Sequence, residues 1–258
     1  MVKLIIDNLS VNYGSIKALE DISIKLDKGM MVSIIGPNGS GKTTLLRSIA
    51  RIVKPVKGVI YIDGKNTNEL SLKDLAHHVS YTSTLKVKEG FELTVGDIVF
   101  MGRYPRTGFM MSHTDERIVN DVLNKFRITH LMNRKIDELS DGERQKTFLA
   151  RALAQESEII LVDEPLAHLD LKAQLEVLKI LKNEANDGKL VIMTSHEIDL
   201  PIKYSDVLIV MKKGEILAAG KPNEILTEKI IENAYGVKCR IIKDKEYSLI
   251  VLLDTLSD

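Results

Sequence analysis

The chain has 258 residues, of which 44% are hydrophobic and 28% are charged, and its 36 basic side chains balance 36 acidic ones. This composition is that of a folded globular protein, and a formal charge of zero gives no electrostatic reason to expect nucleic acid as a partner. No run of about 18 apolar residues occurs, so we expect no membrane-spanning helix. The apolar stretch at the N-terminus is too short for a signal peptide, because polar residues follow at once. Cys239 is the single cysteine, which fits a reducing compartment, so we expect a cytosolic protein.

The first part of the chain is predicted to be rich in strands. Two stretches with alternating apolar residues, "KLIIDNLSVNYG" and "LEDISIKLDKG", predict short strands. "MVSIIG" predicts a buried strand that runs directly into a glycine-rich turn and a helix. Farther along, "GVIYIDGK" predicts an edge strand and "HHVSYTST" a further strand, and from about residue 94 to 135 the pattern becomes helical.

The second part alternates strands with helices. "EIILVDEP" predicts an apolar strand that ends in acids, and "KLVIMTSH" predicts the next core strand after an amphipathic helix stopped by Gly188. "DVLIVMKKGEILAAG" predicts a hairpin, and the tail after it predicts a helix and two short strands. Strands that alternate with helices predict a mostly parallel α/β core, to which the front strands and the helical block are additions.

A phosphate-binding loop is the strongest motif. "GPNGSGKT" matches G-x-x-x-x-G-K-[ST] in full and has the required strand before it and helix after it. Small residues let backbone N–H groups surround a phosphate, while Lys42 reaches the β- and γ-phosphates and Thr43 places a hydroxyl on Mg²⁺. The predicted nucleotide-binding residues here are Gly36, Pro37, Asn38, Gly39, Ser40, Gly41, Lys42, Thr43 and Thr44.

Two acids and a histidine follow predicted core strands. Asp163 would lie beside the magnesium, and Glu164 can polarise an attacking water. Alone, the two acids are better explained as the end of a strand, but the phosphate loop favours the catalytic interpretation. His196 is a candidate γ-phosphate contact because ligands bind at the carboxyl ends of strands in open α/β sheets; a structural histidine is the alternative.

A second anion-binding helix start lies about a hundred residues after the first. In "LSDGERQ", Ser140 can cap a helix, Gly142 lets the backbone approach a ligand, and Glu143 is placed to complete a capping box. Taken alone, the stretch is equally typical of an ordinary capped helix.

Five motifs together resemble the ATP-binding subunits of ABC transporters. Gly36–Thr44, "LSDGERQ", "ILVDEP", "AHLD" and "TSH" occur in the order and at the spacings of that family, and the match covers essentially the whole chain. Within the family, "LTVGDIVFMGRYP" and the "YGV" at Tyr235 are most similar to importers of iron-siderophore, haem and cobalamin complexes.

The resemblance implies a head-to-tail dimer of two such subunits. "LSDGERQ" of one chain would then contact the ATP held by the other, with Ser140 and the backbone of Gly142 as donors, and Asp141 and Glu143 beside them. Tyr13 matches an aromatic residue that stacks on adenine; a buried edge-strand tyrosine is the alternative. Asp170 matches the loop that crosses between the two ATP sites. ATP and Mg²⁺ are the implied cofactors, and integral membrane permease subunits at the cytoplasmic side of the cell membrane are the implied partners.

The resemblance also implies a fold and its boundaries. A P-loop NTPase (RecA-like) α/β core would carry an antiparallel β subdomain and an inserted α-helical signature subdomain. The ATP-binding domain would span 1–235, with its core at about 1–84 and 150–220 and the helical subdomain at about 85–149. Residues 236–258 would form a short C-terminal extension.

The chain departs from the family pattern at two places. Thr84 stands where most members have a glutamine that ligates magnesium, so we expect looser coordination of the metal and slower turnover; a shift of the alignment by one residue is the alternative. Asp141 stands where many members have glycine and Glu143 where many have glutamine, and we expect the Asp141 carboxylate to face away from the γ-phosphate.

Other members of the family offer rival functions. A soluble ABC ATPase usually carries a coiled-coil insertion or a second ATP domain, and a regulator without turnover would lack Glu164 or His196. Exporters often fuse their membrane helices to this domain, whereas none are fused here, so import is favoured.

Overall fold

The computed structural model describes residues 3–83, 92–108, 110–243 and 248–255. The N-terminal part contributes an antiparallel sheet in the strand order β2-β1-β4-β5. Its strands are β1 (Lys3–Tyr13), β2 (Ile16–Asp27), β4 (Lys57–Ile62) and β5 (Lys65–Asn66). β1 and β2 are 11 and 12 residues long, so the prediction of short strands was wrong. β4 lies between β1 and β5 and is not the edge strand that the sequence predicts.

A six-stranded sheet in the order β10-β9-β3-β8-β7-β6 forms the centre of the molecule. Its strands are β3 (Met30–Ile35), β6 (Val79–Ser83), β7 (Ile159–Asp163), β8 (Leu190–Ser195), β9 (Val207–Lys212) and β10 (Glu215–Gly220). All neighbours are parallel except β9 and β10, which form the predicted hairpin. Ile35 lies opposite Ser195 in the register, and Ser83 lies opposite Asp163. The carboxyl ends of β3, β6, β7 and β8 therefore meet at one edge of the sheet.

Ten α-helices connect or flank these strands in the described residues. They are α1 (Lys42–Ile49), α2 (Leu72–His78), α3 (Val95–Phe100), α4 (Tyr104–Thr107), α5 (His113–Lys125), α6 (Asp141–Ala154), α7 (Leu171–Asn186), α8 (Asp199–Tyr204), α9 (Pro222–Ile225) and α10 (Glu228–Tyr235). Single 3₁₀ turns occupy Thr67–Glu69, Met101–Arg103, Thr129–Leu131 and Ile136–Glu138. β11 (Val237–Lys243) and β12 (Ser248–Thr255) form an antiparallel pair near the C-terminus.

The central sheet is buried on both faces, as expected for parallel strands covered by other layers. Along β8, Leu190 and Ile192 face a core shared with α1 and the antiparallel sheet. Val191 and Met193, which alternate with them, face a second core built with α3, α5, α6 and α7. A third core joins the end of β3 to the C-terminal region. The α/β fold with an antiparallel sheet and an inserted helical region is confirmed.

No helix in the described ranges is long and apolar enough to cross a membrane. The longest of them, α7, has 16 residues and is amphipathic, burying Val177, Leu178 and Leu181 against the second core.

Candidate functional site

The phosphate loop has the predicted strand–turn–helix context. β3 ends at Ile35 and α1 begins at Lys42, so 36–41 connect a buried strand to a helix N-terminus. Gly36 and Gly41 have φ angles of 152° and 102°, which glycine alone adopts readily. A Cβ atom on Gly36 would lie 2.2 Å from the Met211 carbonyl oxygen. The backbone path of the loop therefore requires glycine at its first position.

Lys42 lies inside this loop. Its Nζ donates to the carbonyl oxygens of Gly36 at 2.7 Å and Pro37 at 3.1 Å, and the residue is 5% exposed. Burial lowers the pKa of Lys42, and the negative charges of Glu164 and Asp163 oppose that shift. The ammonium group therefore lies close to both acids and is held by the backbone of its own loop.

Asp163 is the centre of a hydrogen-bond network at the carboxyl end of β7. Its Oδ1 accepts from Thr43 Oγ1 at 3.0 Å and from Thr194 Oγ1 at 2.6 Å, and its Oδ2 accepts from Tyr81 OH at 3.3 Å. Thr43 opens α1, Tyr81 lies on β6 and Thr194 on β8, so four elements meet here. The structure thus brings together two of the predicted magnesium ligands, Thr43 and Asp163.

Glu164 and His196 lie side by side next to this network. The Glu164 Oε1 and His196 Nε2 atoms are 2.5 Å apart, and both side chains are partly exposed. The Glu164 N–H donates to Thr194 Oγ1 at 3.0 Å, and the residue has a positive φ of 53°. Thr194 thereby fixes both acids. The motifs predict the acids and the histidine, whereas no motif indicates Thr194 or Tyr81.

A cleft of about 360 Å³ is bordered by the phosphate loop, Glu164 and His196. It is lined by Tyr13, Ile16, Lys17, Ala18, Asn38, Gly39, Ser40, Gly41, Lys42, Thr43, Thr44, Glu164 and His196. Tyr13 lines the cleft and is 47% exposed, so the alternative of a buried edge-strand tyrosine is wrong. The cleft thus brings together an exposed aromatic ring, the phosphate loop, two lysines, one acid and one histidine.

The second helix start has the predicted capping box. The Glu143 N–H donates to Ser140 Oγ at 3.3 Å, while Glu143 Oε2 accepts from the Ser140 N–H at 3.0 Å and from its hydroxyl at 2.8 Å. These bonds from Ser140 lower the pKa of Glu143. Asp141 pairs with Arg144 at 3.3 Å. None of 140–143 is among the described residues that line the cleft, although Gln145, one turn into the helix, donates to the Glu164 carbonyl oxygen at 3.3 Å.

Two other predicted site residues lie elsewhere. Asp170 caps α7, where its Oδ1 accepts from the Ala173 N–H at 2.7 Å. The backbone carbonyl of His168, from the same loop, lies 3.5 Å from the position that a Cβ on Gly142 would occupy, so this loop borders the second helix start. Thr84, predicted as a weak magnesium ligand, lies outside the described residues.

The fold and this cleft define an ATP-binding cassette. The family model described as "ABC transporter" matches residues 19–167, and the chain belongs to this family. The solved cassette MJ0796, in a dimeric post-hydrolysis state bound to ADP and Pi, is 29% identical, has a TM-score of 0.75, and is matched over 86% of this chain and 99% of its own. The chain is an ATP-hydrolysing subunit of that family.

Relatives with named substrates are similar over most of their length. The ferric enterobactin transport ATP-binding protein FepC of Escherichia coli K12 is 34% identical over 241 residues, which are 92% of this chain and 89% of FepC. The iron(3+)-hydroxamate import ATP-binding protein FhuC of Bacillus subtilis 168 is 34% identical over 248 residues, 95% of this chain and 91% of FhuC. An inward-facing ABC transporter described as of metal-chelate type has a TM-score of 0.82 at 25% identity, with 98% of both chains covered.

Proposed function

We propose that this chain hydrolyses ATP to energise an importer of metal chelates such as iron-siderophore, haem or cobalamin complexes. The observation that carries the ATPase part is the network in which Thr43 and Thr194 both donate to Asp163 while Glu164 contacts His196. The similarity to FepC, FhuC and the metal-chelate type transporter supports the cargo class.

ATP would lie along the cleft with its triphosphate in the phosphate loop. The backbone N–H groups of 38–44 would donate to the phosphate oxygens, and the α1 N-terminus would add positive potential. Lys42 would turn from the Gly36 and Pro37 carbonyls toward the β- and γ-phosphates. The exposed ring of Tyr13 would stack on the adenine.

The residues around Asp163 fit Mg²⁺. Hydroxyl and carboxylate oxygens are the ligands that this ion prefers, and the Thr43 Oγ1 and Asp163 Oδ1 atoms lie 3.0 Å apart. Thr43 would ligate the ion directly, with Asp163 beside it. Bound there, Mg²⁺ would neutralise charge on the β- and γ-phosphates. Thr84 stays a further candidate ligand.

Glu164 is the proposed group that polarises the attacking water. Its carboxylate is partly exposed to the cleft and lies one residue after Asp163. This carboxylate would accept a proton from the water as the water oxygen bonds to the γ-phosphorus. The bond between the γ-phosphorus and its bridging oxygen breaks in the same step. His196, hydrogen-bonded to Glu164, would contact the γ-phosphate.

A second copy of the chain, or a homologous subunit, would complete each site. Since 140–143 do not line the cleft of their own chain, their proposed place is the γ-phosphate bound by a partner. Ser140 and the Gly142 N–H would be the donors, with Asp170 at the seam between the two sites. Because ATP would gain contacts from the second chain, it would favour the closed dimer, and hydrolysis would allow the dimer to open.

Membrane permease subunits are the proposed second partner. Met101, Met110 and Met111 of the helical region are 52%, 85% and 59% exposed, and exposed apolar side chains of this size are suited to protein contact. The chain would act at the cytoplasmic side of the cell membrane. We retain 1–235 as the ATP-binding domain, with a helical subdomain at about 85–149 and an extension at 236–258.

Hydrolysis of ATP by the purified chain with Mg²⁺ tests the proposal directly. We expect a specific rate that rises with protein concentration, because each site needs two chains, and we expect Glu164→Gln to bind ATP but lose turnover at least a hundredfold. A Glu164→Gln rate equal to that of the wild type would contradict the assignment of Glu164. To test the cargo, ATPase stimulation by ferric siderophore would be measured in the complex with permease subunits.

A further inference from the structure

Glu164 and His196 contact each other from two different connecting segments. Glu164 is the first residue of the segment 164–170, between β7 and α7, and His196 is the first of the segment 196–198, between β8 and α8. Thr194 holds the Glu164 N–H, but beyond it both segments leave the central sheet and its ladder of backbone hydrogen bonds. The alignment of the two side chains therefore depends on what holds these segments, called here the Glu164 segment and the His196 segment.

The Glu164 segment contains two strained residues. Glu164 and His168 have φ angles of 53° and 62°, in the left-handed region that residues other than glycine rarely adopt. Such conformations persist only where the surrounding structure fixes them, and two buried glutamines supply contacts of that kind. Gln145 of α6 donates to the Glu164 carbonyl oxygen at 3.3 Å. Gln174 of α7 donates to the Leu166 carbonyl oxygen at 3.4 Å.

Gln174 also reaches the His196 segment. The same Nε2 atom donates to Glu197 Oε1 at 3.0 Å. Its two hydrogens thus serve one acceptor in each segment, and because both partners only accept, the orientation of the amide is settled. In the described part of the chain the Glu197 side chain forms no other hydrogen bond, so Gln174 is its link to α7.

We propose that Gln174 is a positioning residue for ATP hydrolysis: its amide joins the Glu164 segment to the His196 segment and keeps the Glu164 and His196 side chains in contact. The inference rests on the roles proposed above for those two residues. Gln174 is not among the residues that line the cleft. It therefore acts on the hydrolytic step, through the two segments, and not on the binding of ATP.

The first test is Gln174→Met in the full chain, which keeps the length of the side chain and removes both hydrogen bonds. Gln155→Met is the matched control, because Gln155 Nε2 also donates to two acceptors, the carbonyl oxygens of Ala76 at 2.7 Å and Val79 at 2.8 Å, and none of these residues lines the cleft. Both variants should lower Tm, since each loses two hydrogen bonds. Only Gln174→Met should also lower kcat, by about tenfold, with the Kd for a fluorescent ATP analogue unchanged.

Glu197 separates positioning from stability because its side chain is exposed. Glu197→Ala removes the acceptor in the His196 segment and should lower kcat several-fold with Tm unchanged. Glu197→Gln keeps an acceptor oxygen for Gln174 and should restore the rate. The double variant Gln174→Met/Glu197→Ala should be no slower than Gln174→Met, because both changes remove the same hydrogen bond.

Equal kcat values in Gln174→Met and Gln155→Met would overturn the proposal, as would a wild-type kcat in Glu197→Ala or losses that add up in the double variant. Glu164→Gln separates the two levels of inference. If it hydrolyses ATP as fast as the wild type, the proposed catalytic site fails and this inference fails with it. If Glu164→Gln is inactive while Gln174→Met is as fast as its control, this inference alone fails.

Discussion

Thr194 joins the two acids at the carboxyl end of β7. It donates to Asp163 and accepts from the Glu164 N–H, so one buried hydroxyl fixes both groups. Thr194→Val keeps the shape but removes both hydrogen bonds. We expect a loss of about 2 kcal/mol of stability, the usual cost of leaving a buried polar group unpaired, and a kcat about tenfold lower because the acids are no longer held in place.

Urea unfolding and steady-state ATPase assays would measure these two effects. Thr67→Val, the same change at another buried threonine, is the control and should leave kcat unchanged. A Thr194→Val enzyme with the wild-type kcat would show that the acids are oriented without this hydroxyl.

Individual residues were predictable where a motif fixes them and not where only the fold does. The glycines, Lys42 and Thr43 follow from the spacing of one loop, and Asp163 from the end of an apolar strand. Tyr81 contacts Asp163 only because β6 and β7 are neighbours in the sheet, with Tyr81 opposite Leu161 in the register. No local pattern in the sequence contains that pairing.

Three helices in the described ranges begin with capping boxes, and two of them allow capping to be separated from function. Ser112 with Asp115 starts α5, and Ser140 with Glu143 starts α6. Changing either serine to alanine should cost about 1 kcal/mol of stability, the usual value of such a cap. Only Ser140→Ala should also lose ATP hydrolysis, because Ser140 alone is proposed to contact a partner's γ-phosphate. Equal ATPase rates in the two variants would show that Ser140 acts only as a helix cap.

α7 carries a buried carboxylate that ties the helical region to the core. Glu184, with a side chain 4% exposed, accepts from Lys125 at the end of α5 at 2.6 Å and from Lys189 before β8 at 2.5 Å. Although burial opposes it, the hydrogen bonds from Lys125 and Lys189 hold the pKa of Glu184 below its usual value of 4.5. Its stabilising contribution is therefore complete above that value and is lost as pH falls through the folded pKa.

Glu184→Gln should lower the free energy of unfolding at pH 7 by about 2 kcal/mol, less than for a fully buried pair because the lysines reach solvent. The difference from the wild type should shrink as pH falls below about 4.5. Glu176→Gln, two turns earlier on α7 and also paired with two basic residues, is more exposed and should cost less. Chemical denaturation at several pH values would measure this; a difference that grows in acid would contradict the ion-pair explanation.

Elements were predicted best where apolar periodicity is strong. The core strands and the β9–β10 hairpin lie where the sequence predicts them, but α2 was missed and its last residues, His77 and His78, were assigned to a strand. α2 buries only Leu75, so its sequence has almost no apolar repeat. Its start is fixed by Ser71, whose hydroxyl accepts from the Asp74 N–H, and a single capping residue adds nothing to the apolar periodicity.

In the proposed dimer each chain contributes the phosphate loop to one ATP site and the second helix start to the other. Mixing two variants can test this arrangement. Lys42→Ala removes the phosphate-loop cation, and Ser140→Ala removes the donor proposed to act on the partner's ATP. Each variant alone should hydrolyse ATP slowly. Mixed in equal amounts, they should recover up to about a quarter of the wild-type rate, because half of the dimers are mixed and each of those has one intact site. A mixture no faster than its components would contradict the head-to-tail arrangement.

The length of α7 also has a mechanical consequence. Its 16 residues make a rod of about 24 Å, with Asp170 at one end and Glu184 in the last turn at the other. A tilt of about 5° about the first turn would displace the last turn by about 2 Å over that length. Because Glu184 is paired with Lys125 of α5, a small reorientation of the first turn at Asp170, at the proposed seam, would move the last turn and the helical region with it.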